Sequence, residues 1–75
     1  MAETTQENRL SLKVNGDQRT VAAGSSIAAM LEAMGLDPAK VAVERNMEIV
    51  PRSTLSEVAV NDGDVFEIVH FVGGG

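Results

Sequence analysis

The sequence predicts a small α+β roll, one helix packed on one small mixed sheet, with elements in the order β-β-α-β-β-β. Three observations carry that expectation. Alternating apolar residues lead into Asn15-Gly16, the pair that most favours a tight hairpin turn. Ile27, Met30, Leu31 and Met34 then recur at helical spacing. Finally, Val65–Val72 is a run of β-branched and aromatic residues with the length and composition of a strand.

In chain order, Met1–Asn8 is polar and aperiodic and reads as a disordered extension. Arg9–Val14 puts Leu10, Leu12 and Val14 on one face and Arg9, Ser11 and Lys13 on the other, a half-buried strand. Asn15-Gly16 reverses it, because a type I′ turn needs positive φ at both central residues. The return strand, Asp17–Ala22, has a weak apolar pattern, so an edge position is expected. Gly24 ends it, and Ser25-Ser26 offers a helix N-cap worth about 1 kcal/mol over alanine. No Glu or Gln stands three residues after Ser26, so a full capping box is absent. Gly35 sits where a C′ glycine belongs, and Pro38 blocks early continuation. The methionines of the stripe are read as core filling.

Val41–Arg45 is a third strand with Val41 and Val43 inward. Asn46-Met47 turns it, and Glu48–Val50 returns until Pro51 stops the pairing. Ser53–Glu57 is expected to make a single helical turn around Leu55, and Asn61-Asp62-Gly63-Asp64 is a turn cluster feeding the last strand. This order lets the first and last strands lie side by side in parallel. Leu10, Leu12, Phe66 and Ile68 would then pack on Ile27, Met30, Leu31 and Met34. At about 1.5–3 kcal/mol per fully buried large side chain, that layer forms most of the core. The expected division is an extension at 1–8, a folded domain at 9–72 and a flexible glycine tail at 73–75.

Composition removes several classes of function. A chain of 75 residues holds one domain, and it has no cysteine for disulfides, thiolate zinc sites or iron–sulfur ligation. Its one histidine cannot build a metal site alone. There is no apolar run long enough for a membrane helix and no signal-peptide pattern, so cytoplasm is the expected compartment. A formal charge of −5 opposes nucleic-acid binding, which rests on Lys and Arg neutralising phosphates. Phe66 and Phe71 are the only aromatics, too few for a base-stacking platform. An acidic surface favours a partner with a basic face.

The last strand and its ending carry the functional reading. Phe66, Ile68, His70 and Val72 share one face; Val65, Glu67, Val69 and Phe71 share the other. Carboxylates are rarely buried without a partner, so the Glu67 face is assigned to solvent and Phe66 and Ile68 to the core. Val69 and Phe71 then stand exposed beside Gly73, Gly74 and Gly75, and with Glu67 they form a candidate docking patch. Three extended glycines reach roughly 10 Å, enough to carry the α-carboxylate of Gly75 down a narrow channel. A Cβ on Gly74 or Gly75 would obstruct such a passage. Ordering the glycines costs about 1–2 kcal/mol each. Burying Val69 and Phe71 on a partner returns about 1.5–3 kcal/mol apiece, so the tail needs the patch.

With these residues, the chain resembles the ubiquitin-like β-grasp sulfur carriers, and within them the thiamine-pathway ThiS family. The resemblance is carried by Val14-Asn15-Gly16, Ala23-Gly24-Ser25-Ser26-Ile27 and Val41-Ala42-Val43-Glu44-Arg45-Asn46. It continues through Glu48-Ile49-Val50-Pro51-Arg52, Asp62-Gly63-Asp64 and Glu67-Ile68-Val69-His70-Phe71-Val72-Gly73-Gly74-Gly75. It covers the chain from Arg9 onward; Met1–Asn8 departs from it, since members of the family usually begin close to the first strand. The resemblance implies a carrier rather than an enzyme, with no catalytic side chain. An activating adenylyltransferase resembling ThiF would adenylate Gly75, and a persulfide sulfur donor would convert it to a thiocarboxylate. Thiazole synthase would then take the sulfur into the thiazole ring of thiamine. ATP and magnesium would belong to the activating enzyme, with no cofactor bound by the carrier itself.

Three other readings share the fold. A molybdopterin-type sulfur carrier tends to be longer around the helix and to carry prolines before Gly-Gly, where Phe71-Val72 stand here. A protein-conjugating ubiquitin-like modifier would form amide adducts on lysines. A β-grasp interaction module with an inert tail would keep its function without Gly74-Gly75. His70 reads as a strand-end residue at the core margin, and Arg45 and Arg52 as a solvated face. The expected state is a monomer that assembles with its enzymes.

Overall fold

The computed structural model describes residues 8–71. The expected extension, apart from Asn8, and the tail glycines Gly73, Gly74 and Gly75 lie outside the described residues. Five strands form one mixed sheet: β1 (Arg9–Val14), β2 (Asp17–Ala22), β3 (Val41–Arg45), β4 (Glu48–Val50) and β5 (Val65–His70). Their order is β2-β1-β5-β3-β4. β1 and β5 are parallel at the centre, while the other pairings are antiparallel. One helix, α1 (Ile27–Ala33), covers one face. β2 is an edge strand, as its weak pattern predicts. Asn8 is tied down, its carbonyl accepting a hydrogen bond from the Ala23 N–H.

Local chemistry accounts for the helix limits. Ser26 is the N-cap, and its Oγ accepts from the Ala29 N–H at 3.0 Å. The N–H groups of Ile27 and Ala28, which have no partner inside the helix, donate to the carbonyls of Val58 and Leu55 at 2.9 and 2.8 Å. Gly35 follows the C-cap Met34 at φ +82°, a left-handed conformation that glycine adopts without steric penalty.

Leu12, Val14, Ile27, Met30, Leu31, Val41, Val43, Phe66 and Ile68 meet between helix and sheet, and Leu55 and Val60 complete the core from the connecting loop. Phe66 has no accessible surface. Leu10 and Met34, expected in the core, are only partly buried, because each lies at the end of its element. The helical turn expected at Ser53–Glu57 is a 3-10 helix at Arg52–Thr54 that runs into a turn through Glu57. A second 3-10 helix, Pro38–Lys40, is capped by the Asp37 carboxylate, which accepts from the Ala39 N–H at 2.9 Å. Among the described residues no helix is long and apolar enough to cross a membrane.

Candidate functional site

Strand β5 leads directly to the glycine ending, and it is held along both edges. On one side β1 pairs with it through Lys13↔Val65 and Val14↔Phe66. The Lys13 N–H donates to the Asp64 carbonyl at 3.0 Å and the Asn15 N–H to the Phe66 carbonyl at 2.9 Å. There β1 ends, yet the ladder continues one step further through a side chain. The Asn15 amide accepts from the Ile68 N–H at 2.8 Å and donates to the Ile68 carbonyl at 3.2 Å. Asn15 reaches this position from φ +51°, within the turn that its pairing with Gly16 makes favourable.

A second asparagine does the same work on the other edge. Asn46, at φ +52°, donates its N–H to the Val65 carbonyl at 2.7 Å. Its Oδ1 accepts from the Val65 N–H at 3.0 Å, and its Nδ2 donates to Asp64 Oδ1 at 3.2 Å. Asp64 is buried and fully engaged. Its Oδ2 accepts from the Asn61 N–H at 2.9 Å and lies 3.6 Å from Arg45 Nη1. That guanidinium also donates to the Ala59 carbonyl at 3.0 Å. A buried carboxylate is tolerated when hydrogen bonds and a cation surround it, and this set fixes where β5 begins. Where β5 ends, the Phe71 N–H donates to the Lys40 carbonyl at 2.9 Å.

The outward face of β5 is as the alternation predicts. Val65, Glu67, Val69 and Phe71 are exposed, while Phe66 and Ile68 are buried. Val69 keeps 63% of its surface and Phe71 49%. Arg52 lies over the Phe71 ring, 5.2 Å from its centroid, so it helps to orient the last described residue of the chain. His70, on the inward face, is exposed, since the core stops at Ile68. The candidate residues Glu67, Val69 and Phe71 therefore stand together. Gly73, Gly74 and Gly75 lie outside the described residues.

The patch is broader than β5 alone. Register places Ala42 beside Val69 and Glu44 beside Glu67, with Ile49 on the far side of Glu44. Ile49 is 77% exposed, and Met47, at the tip of the β3–β4 turn, 91%. Sequence reasoning missed Glu44 and Ile49 as neighbours of the patch. The inward placement of Val41 and Val43 already implied that Glu44 points outward, but only the pairing shows what lies next to it. Among the described residues no cluster of three His, Cys, Asp or Glu could hold a metal ion. What the arrangement offers chemically is a rigid, partly apolar platform at the root of the glycine ending.

Comparison with known proteins agrees with this arrangement. Residues 12–75 match the ThiS family model. The sulfur carrier protein ThiS of Bacillus subtilis (strain 168) is 43% identical over 65 residues, covering 85% of this chain and 98% of that protein. A thiazole synthase of Paramagnetospirillum magneticum is 53% identical over 66 residues, which is 88% of this chain but 20% of the synthase; the chain thus spans about a fifth of that relative. The crystal structure of a thiamine biosynthesis protein (ThiS) from Geobacter metallireducens superposes with a TM-score of 0.72 at 33% identity, covering 88% of this chain and 100% of that one. The architecture is the β-grasp roll.

Proposed function

Because the chain belongs to the ThiS family, we propose that it is a sulfur carrier of thiamine biosynthesis whose Gly75 bears the sulfur as a thiocarboxylate. In this reading residues 9–72 are the recognition body and 73–75 the cargo-bearing tail. A carboxylate is a poor electrophile. An adenylyltransferase partner, using ATP and magnesium, would join the Gly75 carboxylate oxygen to the α-phosphorus and expel pyrophosphate. The terminal sulfur of a persulfide donor would then attack the activated carbonyl carbon and expel AMP. A second thiol would cleave the resulting S–S bond, becoming oxidised to a disulfide and releasing the thiocarboxylate. Thiazole synthase would take the sulfur from there.

No side chain of the carrier takes part in these steps. Its contribution is to be recognised and to hold the tail's root still. The observation that carries the proposal is the exposure of Val69 and Phe71 beside Glu67, on a strand pinned at both edges and leading into Gly73-Gly74-Gly75. Burial of those two side chains by a partner offsets the ordering of the glycines. The thiazole synthase relative, with a carrier-like segment inside a longer chain, supports a role in the same chemistry.

The test is intact mass spectrometry of the full chain after incubation with ATP, magnesium, the activating enzyme and a persulfide donor. An oxygen-to-sulfur mass increment confined to the C-terminal peptide is expected. An unchanged mass, or an amide adduct on a lysine, would overturn the proposal.

A further inference from the structure

The turn between β1 and β2 is also the one asparagine–glycine junction in the chain. Because Gly16 has no Cβ, its nitrogen can approach the Asn15 side-chain carbonyl carbon with little hindrance. Bulk does not shield the junction. Asn15 and Gly16 are both exposed, and no atom beyond the chain neighbours lies within 4 Å of where a Gly16 Cβ would stand. The restraint lies instead on the carbon under attack. The Asn15 amide is engaged at both ends, its Oδ1 accepting from the Ile68 N–H at 2.8 Å and its Nδ2 donating to the Ile68 carbonyl at 3.2 Å. Its main chain is fixed as well, at φ +51° with the N–H on the Phe66 carbonyl at 2.9 Å. To meet the Gly16 nitrogen, the side chain must turn away from Ile68 and give up both bonds. Asn46 is held in the same manner at φ +52°, but the residue after it is Met47, whose side chain hinders the same approach.

We propose that Asn15 is a site of covalent modification, deamidation through a cyclic imide, which the two bonds to Ile68 hold off and which separation of β5 from the turn releases. The Gly16 nitrogen, having lost its proton, attacks Asn15 Cγ. The Cγ–Nδ2 bond breaks and ammonia departs, leaving a five-membered imide. Water then opens the ring. Opening at Cγ gives aspartate; opening at the main-chain carbonyl gives isoaspartate, with the chain running through Cγ. Nothing is oxidised or reduced, and water is the co-reactant. The aspartate product keeps an acceptor for the Ile68 N–H but sets a negative charge against the Ile68 carbonyl. The isoaspartate product adds a carbon to the main chain within the turn. Both lack the amide donor, so the strand leading to the glycine ending loses part of its hold on that edge. This chemistry is independent of what the ending carries.

The experiment incubates the full chain in warm, mildly alkaline buffer, with and without a denaturing concentration of guanidinium. Peptide mass spectrometry follows the replacement of the amide, and electron-transfer fragmentation separates isoaspartate from aspartate. Conversion dominated by Asn15 is expected in both, and about 5- to 150-fold slower in the folded chain, the factor that two net hydrogen bonds supply. At sub-denaturing guanidinium the rate should rise in step with amide hydrogen exchange at Ile68, since one local opening exposes both. The purified isoaspartyl chain should exchange the Ile68 amide faster than the parent chain does. Equal rates in the folded and denatured chain, or no conversion of Asn15 in denaturant, would overturn the proposal. So would a modified chain in which Ile68 keeps its full protection.

Discussion

Replacing Asn15 by glycine isolates what holds the strand that leads to the tail. Glycine adopts the φ of +51° found at this position, so the turn survives. What disappears is the amide that accepts from the Ile68 N–H at 2.8 Å and donates to its carbonyl at 3.2 Å. A hydrogen bond contributes about 0.5–1.5 kcal/mol net, so the pair is worth about 1–3 kcal/mol. The backbone changes oppose each other: glycine is freer when unfolded, by about 0.4–1 kcal/mol, but is relaxed at positive φ. For a domain of this size each kcal/mol moves the melting midpoint by about 4–8 °C, so a fall of about 4–24 °C is expected. Circular dichroism melts measure it, and amide hydrogen exchange at Ile68 locates it, with faster exchange there than at Val43. Asn15→Asp keeps the acceptor but not the donor and should fall between. If Asn15→Gly melts with the parent chain and Ile68 keeps its protection, the asparagine is only a turn former and the reasoning fails.

Two further outcomes follow from the same geometry. Met47 sits at φ +73° with its side chain 91% exposed. A left-handed conformation costs a non-glycine residue about 1–2 kcal/mol, and the greater freedom of unfolded glycine takes back about 0.4–1 kcal/mol. Met47→Gly should therefore leave the midpoint unchanged or raise it, by up to about 13 °C, in thermal melts; a lower midpoint would mean that the methionine makes a stabilising contact. Phe71→Ala removes the ring under Arg52, which is worth about 0.5–1 kcal/mol at an exposed site, so the free chain should lose little stability. Its affinity for the activating enzyme, measured by calorimetry, should fall about 10- to 100-fold through lost burial, and an unchanged affinity would remove Phe71 from the docking patch.

The elements whose reasons are local were readable from the residues. Alternation in β1 and β5, the Asn15-Gly16 reversal, the Ser26 cap and Gly35 after the helix each depend on a few neighbouring positions. What escaped depends on residues far apart in the chain. Asn15 reads as a turn former, but its bonds to Ile68 span 53 positions. Asp64 reads as one of several turn acids, and its burial makes sense only with Asn46, Asn61 and Arg45 around it. Leu55 and Val60 enter the core because the loop between them closes on the helix N-terminus, with carbonyls that Ile27 and Ala28 require. The Pro38–Lys40 turn is too short for periodicity to reveal, although Asp37-Pro38 is a helix-start pair. In the site, the outward set on β5 followed from alternation alone. The approach of Glu44 to Glu67 did not, because register between β3 and β5 is fixed by tertiary packing.

The central claim, that the folded body supplies recognition and Gly75 supplies the reactive position, is tested most directly by following one labelled atom. The full chain would be charged with heavy-isotope sulfur by the activating enzyme, purified, and given to thiazole synthase with its other substrates. The account predicts heavy sulfur in the thiazole product, one atom for each carrier consumed, and none from a chain lacking Gly74 and Gly75. Product bearing only light sulfur, or equal labelling from the shortened chain, would contradict it.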